Sequence, residues 1–225
     1  MTAPPTLLLV HGAWHGGWCW SKLQSALETE GVESRTLDLP SAGRPSGVAE
    51  DADAIRRAIS EIEGPVVVVA HSYGGIPASQ AVDKSDGVVK LVYLAAFQLD
   101  AGESLLGYVD APVPSEEHEM QPVPDDPFSL FYADVSHEEA EEAATRLKPQ
   151  SAKSFSDVVT RAGWHDVPST YIICEQDQAL PVALQEALAT RAAESYRMAG
   201  SHSPFLANPE ELATLLTKIT SQSLT

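Results

Sequence analysis

The sequence predicts an α/β protein: a mainly parallel sheet of about six strands, helices on both faces, and a small insertion. Two observations predict it. Short apolar or β-branched runs of strand length alternate with longer stretches of helical period, the pattern of a sheet covered on both sides. One run, Val66-Val67-Val68-Val69, passes directly into Ala70-His71-Ser72-Tyr73-Gly74-Gly75, a serine between small residues at the start of a helix-like stretch.

Strands are expected at residues 7–10, 33–37, 66–69, 88–94, 170–174 and 195–198. Helical periodicity covers residues 18–29, 49–62, 75–83, 181–191 and 209–220, with Pro181 and Pro209 read as first-turn prolines, where a missing N–H is harmless. The alternation breaks between Phe97 and His165. There Pro112, Pro114, Pro122, Pro124 and Pro127 interrupt an acidic region ahead of one helical stretch, 137–147. The chain therefore divides into a core of residues 1–96 and 166–225 and an insertion of residues 97–165. A proline-rich acidic segment reads equally as a solvated loop with a surface helix or as a cap over the serine. Position favours the cap, because a segment leaving the carboxyl end of a strand emerges at the edge where Ser72 stands. Its apolar residues include Phe97, Leu105, Tyr108, Phe128, Leu130, Phe131, Tyr132, Phe155 and Trp164. They could equally line a pocket or pair two subunits in a homodimer.

With 225 residues, 44% of them hydrophobic, the chain can bury one sizeable core. Thirty-two acidic residues against 14 lysines and arginines give a net charge of −18, which repels nucleic-acid phosphates and anionic membranes. Neither is an expected partner. Cys19 and Cys174 are too few for a disulfide framework, and a reducing, cytoplasmic setting is expected. Residues 1–6 lack a basic region followed by a long apolar core, and the apolar run at 7–10 is only strand-length, so neither signal peptide nor membrane span is expected.

A serine at a sharp strand-to-helix turn stands exposed, and the turn admits only small residues two positions either side; Ala70 and Gly74 satisfy this. Ser72 is the expected nucleophile. An acid and then a histidine should follow at later strand ends. Asp177, in the loop between the strand at 170–174 and Pro181, is the expected acid, with Asp100 as its competitor and Glu175 as a weaker rival. His202, in the Gly200-Ser201-His202-Ser203 loop after the last strand, is the expected base and completes the order serine, acid, histidine. His11, His15 and His71 flank the site and are expected to shape it. The glycine-rich loop His11-Gly12-Ala13-Trp14-His15-Gly16-Gly17 after the first strand lets the main chain approach a ligand. The N–H groups of Ala13 and Tyr73 are the expected oxyanion donors, each contributing roughly 3–4 kcal/mol to a transition state. A dinucleotide is rejected because the loop lacks G-x-G-x-x-G spacing and carries aromatics.

These motifs, together with Asp38-Leu39-Pro40-Ser41-Ala42-Gly43, resemble the α/β-hydrolase superfamily, and more narrowly the branch of plant methylesterases, hydroxynitrile lyases and related bacterial esterases. The resemblance covers the chain outside the cap. It implies Ser72 as nucleophile, His202 as base, Asp177 as acid, Ala13 and Tyr73 as oxyanion donors, and no metal or cofactor. A substrate pocket of Gly12, Trp14, Phe97, Tyr108, Phe131 and Trp164 goes with it, for a small apolar ester. Lyases of this branch carry a threonine in the opening loop and a lysine after the catalytic histidine. Here Gly12 and Ser203 stand in those places, which favours ester hydrolysis. A lactonase, a carbon–carbon hydrolase and a non-catalytic ligand receptor on the same scaffold remain as alternatives.

Overall fold

The computed structural model describes residues 4–113 and 119–222; residues 1–3, 114–118 and 223–225, with Pro114 among them, lie outside the described residues. Strand β1 (Thr6–Val10) leads through a 3-10 turn (Gly17–Trp20) into helix α1 (Ser21–Thr29) and strand β2 (Ser34–Thr36). Helix α2 (Val48–Ser60) and strand β3 (Val66–His71) follow, and a tight turn (Ser72–Gly74) starts α3 (Gly75–Ala81), which runs to β4 (Val88–Leu94). The segment 97–165 holds α4 (Leu105–Tyr108), β5 (Met120–Gln121), α5 (Pro127–Phe131), α6 (His137–Thr145), β6 (Gln150–Ser151) and α7 (Ala152–Ser156). The chain continues with β7 (Ser169–Cys174), α8 (Val182–Ala189), β8 (Glu194–Met198), α9 (Pro204–Ala207) and α10 (Pro209–Gln222).

Six strands form one sheet in the order β2-β1-β3-β4-β7-β8, every neighbouring pair parallel. All six are those the sequence predicts, with ends moved by no more than two residues. Alternate residues of each strand face opposite layers. Leu8, Val10, Val68, Ala70, Leu91 and Tyr93 pack with Ile55, Ile59 and Ile76 on one side. Leu7, Leu9, Val67, Val69, Val92 and Leu94 pack with Leu23, Leu27, Leu212 and Leu216 on the other. Burial on both faces explains why the strands read as unbroken apolar runs.

The order of strands decides where a site can form. After β1 the chain moves outward to β2, then returns to place β3 on the other side of β1. The loops leaving the carboxyl ends of β1 and β3 therefore meet at the switch point of the sheet, the edge where open α/β sheets bind ligands. Residues 11–16 and the Ser72 turn are those two loops.

Two sequence expectations are corrected. Pro181 does not lie in the first turn of α8: it sits just outside, extended at φ −52° and ψ 140°. Its carbonyl accepts the N–H groups of Leu184 and Gln185, so it opens the helix as an acceptor. The segment 97–165 is more structured than a loop with one helix, because β5 and β6 pair antiparallel, Gln121 opposite Gln150. Strands of two residues carry no readable alternation. Among the described residues no helix is long and apolar enough to cross a membrane.

Leu91 is fully buried and Val158 is 53% exposed. Leu91→Ala should cost about 2–5 kcal/mol of stability through transfer and cavity terms, while Val158→Ala should stay within about 0.5 kcal/mol; urea unfolding of the two variants checks the contrast.

Candidate active site

Ser72 takes φ +52°, in the left-handed region. A side-chain-bearing residue pays roughly 1–3 kcal/mol there, and persists only if its surroundings over-determine it. Here they do. The Ser72 carbonyl accepts from Phe97 N–H at 3.1 Å. A Cβ on Gly74 would meet the His11 carbonyl oxygen at 2.5 Å, one on Gly75 the Phe97 carbonyl oxygen at 2.5 Å, and one on Gly12 the Ser72 Cβ at 2.9 Å. The turn is thus wedged between the backbones that follow β1 and β4, and only glycine fits at 12, 74 and 75. Ser72 itself is half-buried, at the open edge of the sheet.

Asp177 and His202 come from the ends of β7 and β8 and meet at 2.7 Å, Asp177 Oδ2 accepting from His202 Nδ1. Both are buried. This bond leaves Nε2 as the outward ring nitrogen. The loop holding Asp177 is organised by the carboxylate itself: Oδ1 accepts from Ala179 N–H at 2.8 Å and Leu180 N–H at 2.9 Å. Gln185, fully buried on α8, donates to Oδ2 at 3.1 Å and to the Leu180 carbonyl at 2.7 Å. His71, the neighbour of Ser72, donates from Nε2 to the His202 carbonyl at 2.8 Å. One hydrogen bond therefore joins the residue before the serine to the histidine loop. Asp100, the competing acid, faces away, 3.1 Å from the exposed His165 ring, and Glu175 pairs with Arg197 at 2.8 Å.

The loop after β1 is held at each polar atom that matters. His11 donates from Nδ1 to the Gly12 carbonyl at 2.8 Å and accepts Leu39 N–H on Nε2 at 2.9 Å. His15 donates to the Ala13 carbonyl at 2.8 Å, and Tyr132 O–H donates to its other nitrogen at 2.9 Å. Trp14, at φ +61°, donates its N–H to Gln150 Oε1 at 3.1 Å. The N–H of Ala13 has no acceptor among the described residues. That of Tyr73 lies in a first helical turn, where no intrahelical acceptor exists. Burial pushes His11 down to about 4 and His15 to about 3, and holds His71 well below its ordinary value. All three are neutral scaffolding at pH 7.

Aromatic rings close over this edge. Trp14 lies 5.8 Å from Phe131 and 5.5 Å from Phe155, Phe131 is 5.9 Å from the His202 ring, and Phe155 meets Tyr73 edge-on at 5.8 Å. A cavity of ≈ 390 Å³ opens beside them, lined by Trp14, Leu106, Pro112, Gln121, Pro122 and Phe155. Of the expected pocket residues, Gly12, Trp14 and Phe131 gather at this edge, and Phe97 contributes its backbone to the Ser72 turn. Tyr108 instead lies under the Arg191 guanidinium, and Trp164 donates to the Leu99 carbonyl and stacks on His165. Phe155 and Leu106 line the cavity in their stead; the first was among the aromatics of the insertion, whereas nothing in the local sequence marks the second.

A family model described as the alpha/beta hydrolase family matches residues 7–215. The chain belongs to that family. Its relatives include the alpha/beta hydrolase nvfD of Aspergillus novofumigatus, 30% identical with 94% of this chain and 95% of the relative covered. Norfluorocurarine synthase 2 of a Strychnos species is 28% identical, over 95% of this chain and 94% of the relative. Among solved structures, the methylesterase MES16 from Arabidopsis superposes with a TM-score of 0.82 at 25% identity, covering 96% of this chain and 99% of that one. The fold expected from the sequence is that of an alpha/beta hydrolase, a six-stranded parallel sheet between helices.

Gln150, Gln185 and Asp51 escaped sequence reasoning. Asp51 left a usable signal, since it lies on the apolar stripe of α2 formed by Val48, Ala52, Ile55 and Ile59. A lone carboxylate on such a stripe needs partners when buried. Gln150 left none, because Trp14 and Ser41 come from distant segments. Gln185 bonds to Cys174, Asp177 and Leu180 within one strand–loop–helix unit, but only the path of that loop turns its amide toward them. Among the described residues no cluster of histidine, cysteine and carboxylate side chains could hold a metal ion.

The buried histidines make the fold acid-sensitive. The unfolded chain takes up their protons near pH 6.5, the folded one only near 4 for His11 and 3 for His15, so this stability is complete above 6.5 and lost on acidification. Each group contributes a slope of about 1.4 kcal/mol per pH unit inside its window. Asp51, raised by burial to about 6, opposes with a single slope between 3.8 and 6. The urea midpoint should therefore fall between pH 7 and pH 5; a flat profile would show that the histidines titrate freely.

Proposed function

We propose that this protein is a serine hydrolase that cleaves small carboxylic esters through an acyl-enzyme. The observation that carries the reading is the Asp177–His202 hydrogen bond, buried and tied through His71 to a serine held at positive φ. His202 Nε2 removes the Ser72 proton as the hydroxyl attacks the ester carbonyl, and Asp177 stabilises the imidazolium that forms. The N–H groups of Ala13 and Tyr73 receive the oxyanion. His202 returns the proton to the departing alcohol, and water, activated by the same nitrogen, releases the acid. The methylesterase likeness supports an ester as substrate, and the Trp14, Leu106 and Phe155 walls support an apolar one. Residues 97–165 then act as a cap, carrying Phe131 and Phe155 over the serine. The two free, buried cysteines suit a reducing cytoplasm.

A p-nitrophenyl ester series from acetate to decanoate, with a lactone and mandelonitrile alongside, tests the reading. Short esters should turn over, mandelonitrile should not be cleaved, and Ser72→Ala should abolish activity. Retained activity in that variant would sink the mechanism. Asp177→Asn should lower kcat by roughly 10⁴-fold by disturbing the histidine tautomer, whereas Asp100→Asn should leave kcat near wild type; the reverse result would move the acid to β4.

A further inference from the structure

Asp51 is fully buried on α2, outside the chemistry described above, and three donors converge on its carboxyl group. Ser41 gives its N–H to Oδ1 at 2.9 Å and its hydroxyl to Oδ2 at 2.5 Å, and the Tyr73 phenol gives its proton to Oδ2 at 2.6 Å. The network continues beyond Ser41. Gln150 Nε2 donates to Ser41 Oγ and to Ser154 Oγ, both at 2.8 Å, while its Oε1 receives Trp14 N–H at 3.1 Å. The peptide joining Ala13 to Trp14 is thereby pinned at both ends, its N–H by Gln150 and its carbonyl by His15.

We propose that Asp51 is a positioning residue for the oxyanion site, holding Tyr73 through its phenol and the Ala13–Trp14 peptide through Ser41 and Gln150. The inference rests on the esterase reading of the site. One carboxyl group thus sets the spacing between the residues that carry the two donors, although they come from loops after different strands. Geometry of this kind matters because oxyanion donors act only when already aimed at the developing charge. A role in stability alone accounts poorly for the arrangement. Removing a carboxylate from water costs several kcal/mol, and apolar side chains of similar size serve a helix–sheet contact at least as well. The rest of the α2 stripe is in fact apolar. Burial raises the Asp51 pKa to about 6, so at neutral pH the group is an anion that accepts all three bonds. Phe155, edge-on to Tyr73, limits the ring from the other side.

Tyr73→Phe cuts one arm while keeping the ring, Ser41→Ala cuts the other, and Asp51→Asn keeps one acceptor oxygen as a conservative control. Three quantities are read for each: kcat and KM on a short p-nitrophenyl ester, inhibition by an aryl trifluoromethyl ketone, and amide hydrogen exchange of the segments 11–16 and 71–75. Tyr73→Phe and Ser41→Ala should each lower kcat roughly 10-fold with KM moving less than about twofold, and should weaken the ketone by a similar factor. Asp51→Asn should fall between them and wild type. Exchange should quicken at 71–75 in the Tyr73 variant and at 11–16 in the Ser41 variant. Wild-type kcat and ketone affinity in both single-arm variants would overturn the proposal, as would loss of activity confined to variants with a lowered urea midpoint. If the wild-type protein hydrolyses no ester, the esterase reading fails separately; exchange unchanged in both segments would then overturn the positioning role as well.

Discussion

A reversal of chain direction within one residue is the constraint on which the site depends. Strand β3 ends at His71 and the turn into α3 starts at Ser72, which takes φ +52° to make the change of direction. The strain persists because neighbouring backbones leave no alternative: the carbonyls of His11 and Phe97 press against Gly74 and Gly75 from either side. Those two backbones belong to the loops after β1 and β4, the immediate neighbours of β3 in the sheet. The parallel order of the strands, the glycines and the placing of Ser72 at the edge of the sheet are therefore aspects of one packing problem.

Around that turn the protein buries many polar side chains, and most of their polar atoms are matched, His71 Nδ1 and Ser203 Oγ being exceptions. His11, His15, His71, Asp51, Asp177, Gln150 and Gln185 are all buried, and each makes at least one bond to a connecting segment between regular elements. Unpaired, such groups would cost several kcal/mol apiece. Paired, they convert flexible connections into rigid ones. Gln185 does this for the Asp177 loop, His71 for the His202 loop, and Gln150 with His15 for the loop after β1. The 97–165 segment shares in it through Tyr132 and Gln150, so it is joined to the core by buried hydrogen bonds as well as by aromatic contact.

The legible parts of the molecule were those governed by local rules. Valine runs bounded by turns gave the strands, and helical periodicity gave α1, α2, α3, α6, α8 and α10, because each element's own sequence must satisfy its burial pattern. Ser72, Asp177 and His202 could be picked out by residue type and by position at strand ends. Asp177 shares its kind of position with Asp100, which follows a strand too; only the side-chain directions separate them, with Asp177 turned to His202 and Asp100 to His165. The two-residue strands β5 and β6 and the helices α4, α5 and α7 were illegible, because each is too short for a readable period and β6 is held by contacts with residues such as Ser41 more than 100 positions away.

By itself the sequence determined the layered α/β architecture, the strand–turn–helix at Ser72 and the order serine, acid, histidine. Pattern and steric demand act within a few residues, and they are written wherever those residues stand. The tertiary structure alone decided which histidines are neutral, which carboxylate faces His202, which aromatics form the wall, and that Asp51 reaches both Tyr73 and Ser41. Those properties depend on desolvation and on the aim of hydrogen bonds between distant segments. Neither exists until the sheet has brought the segments together.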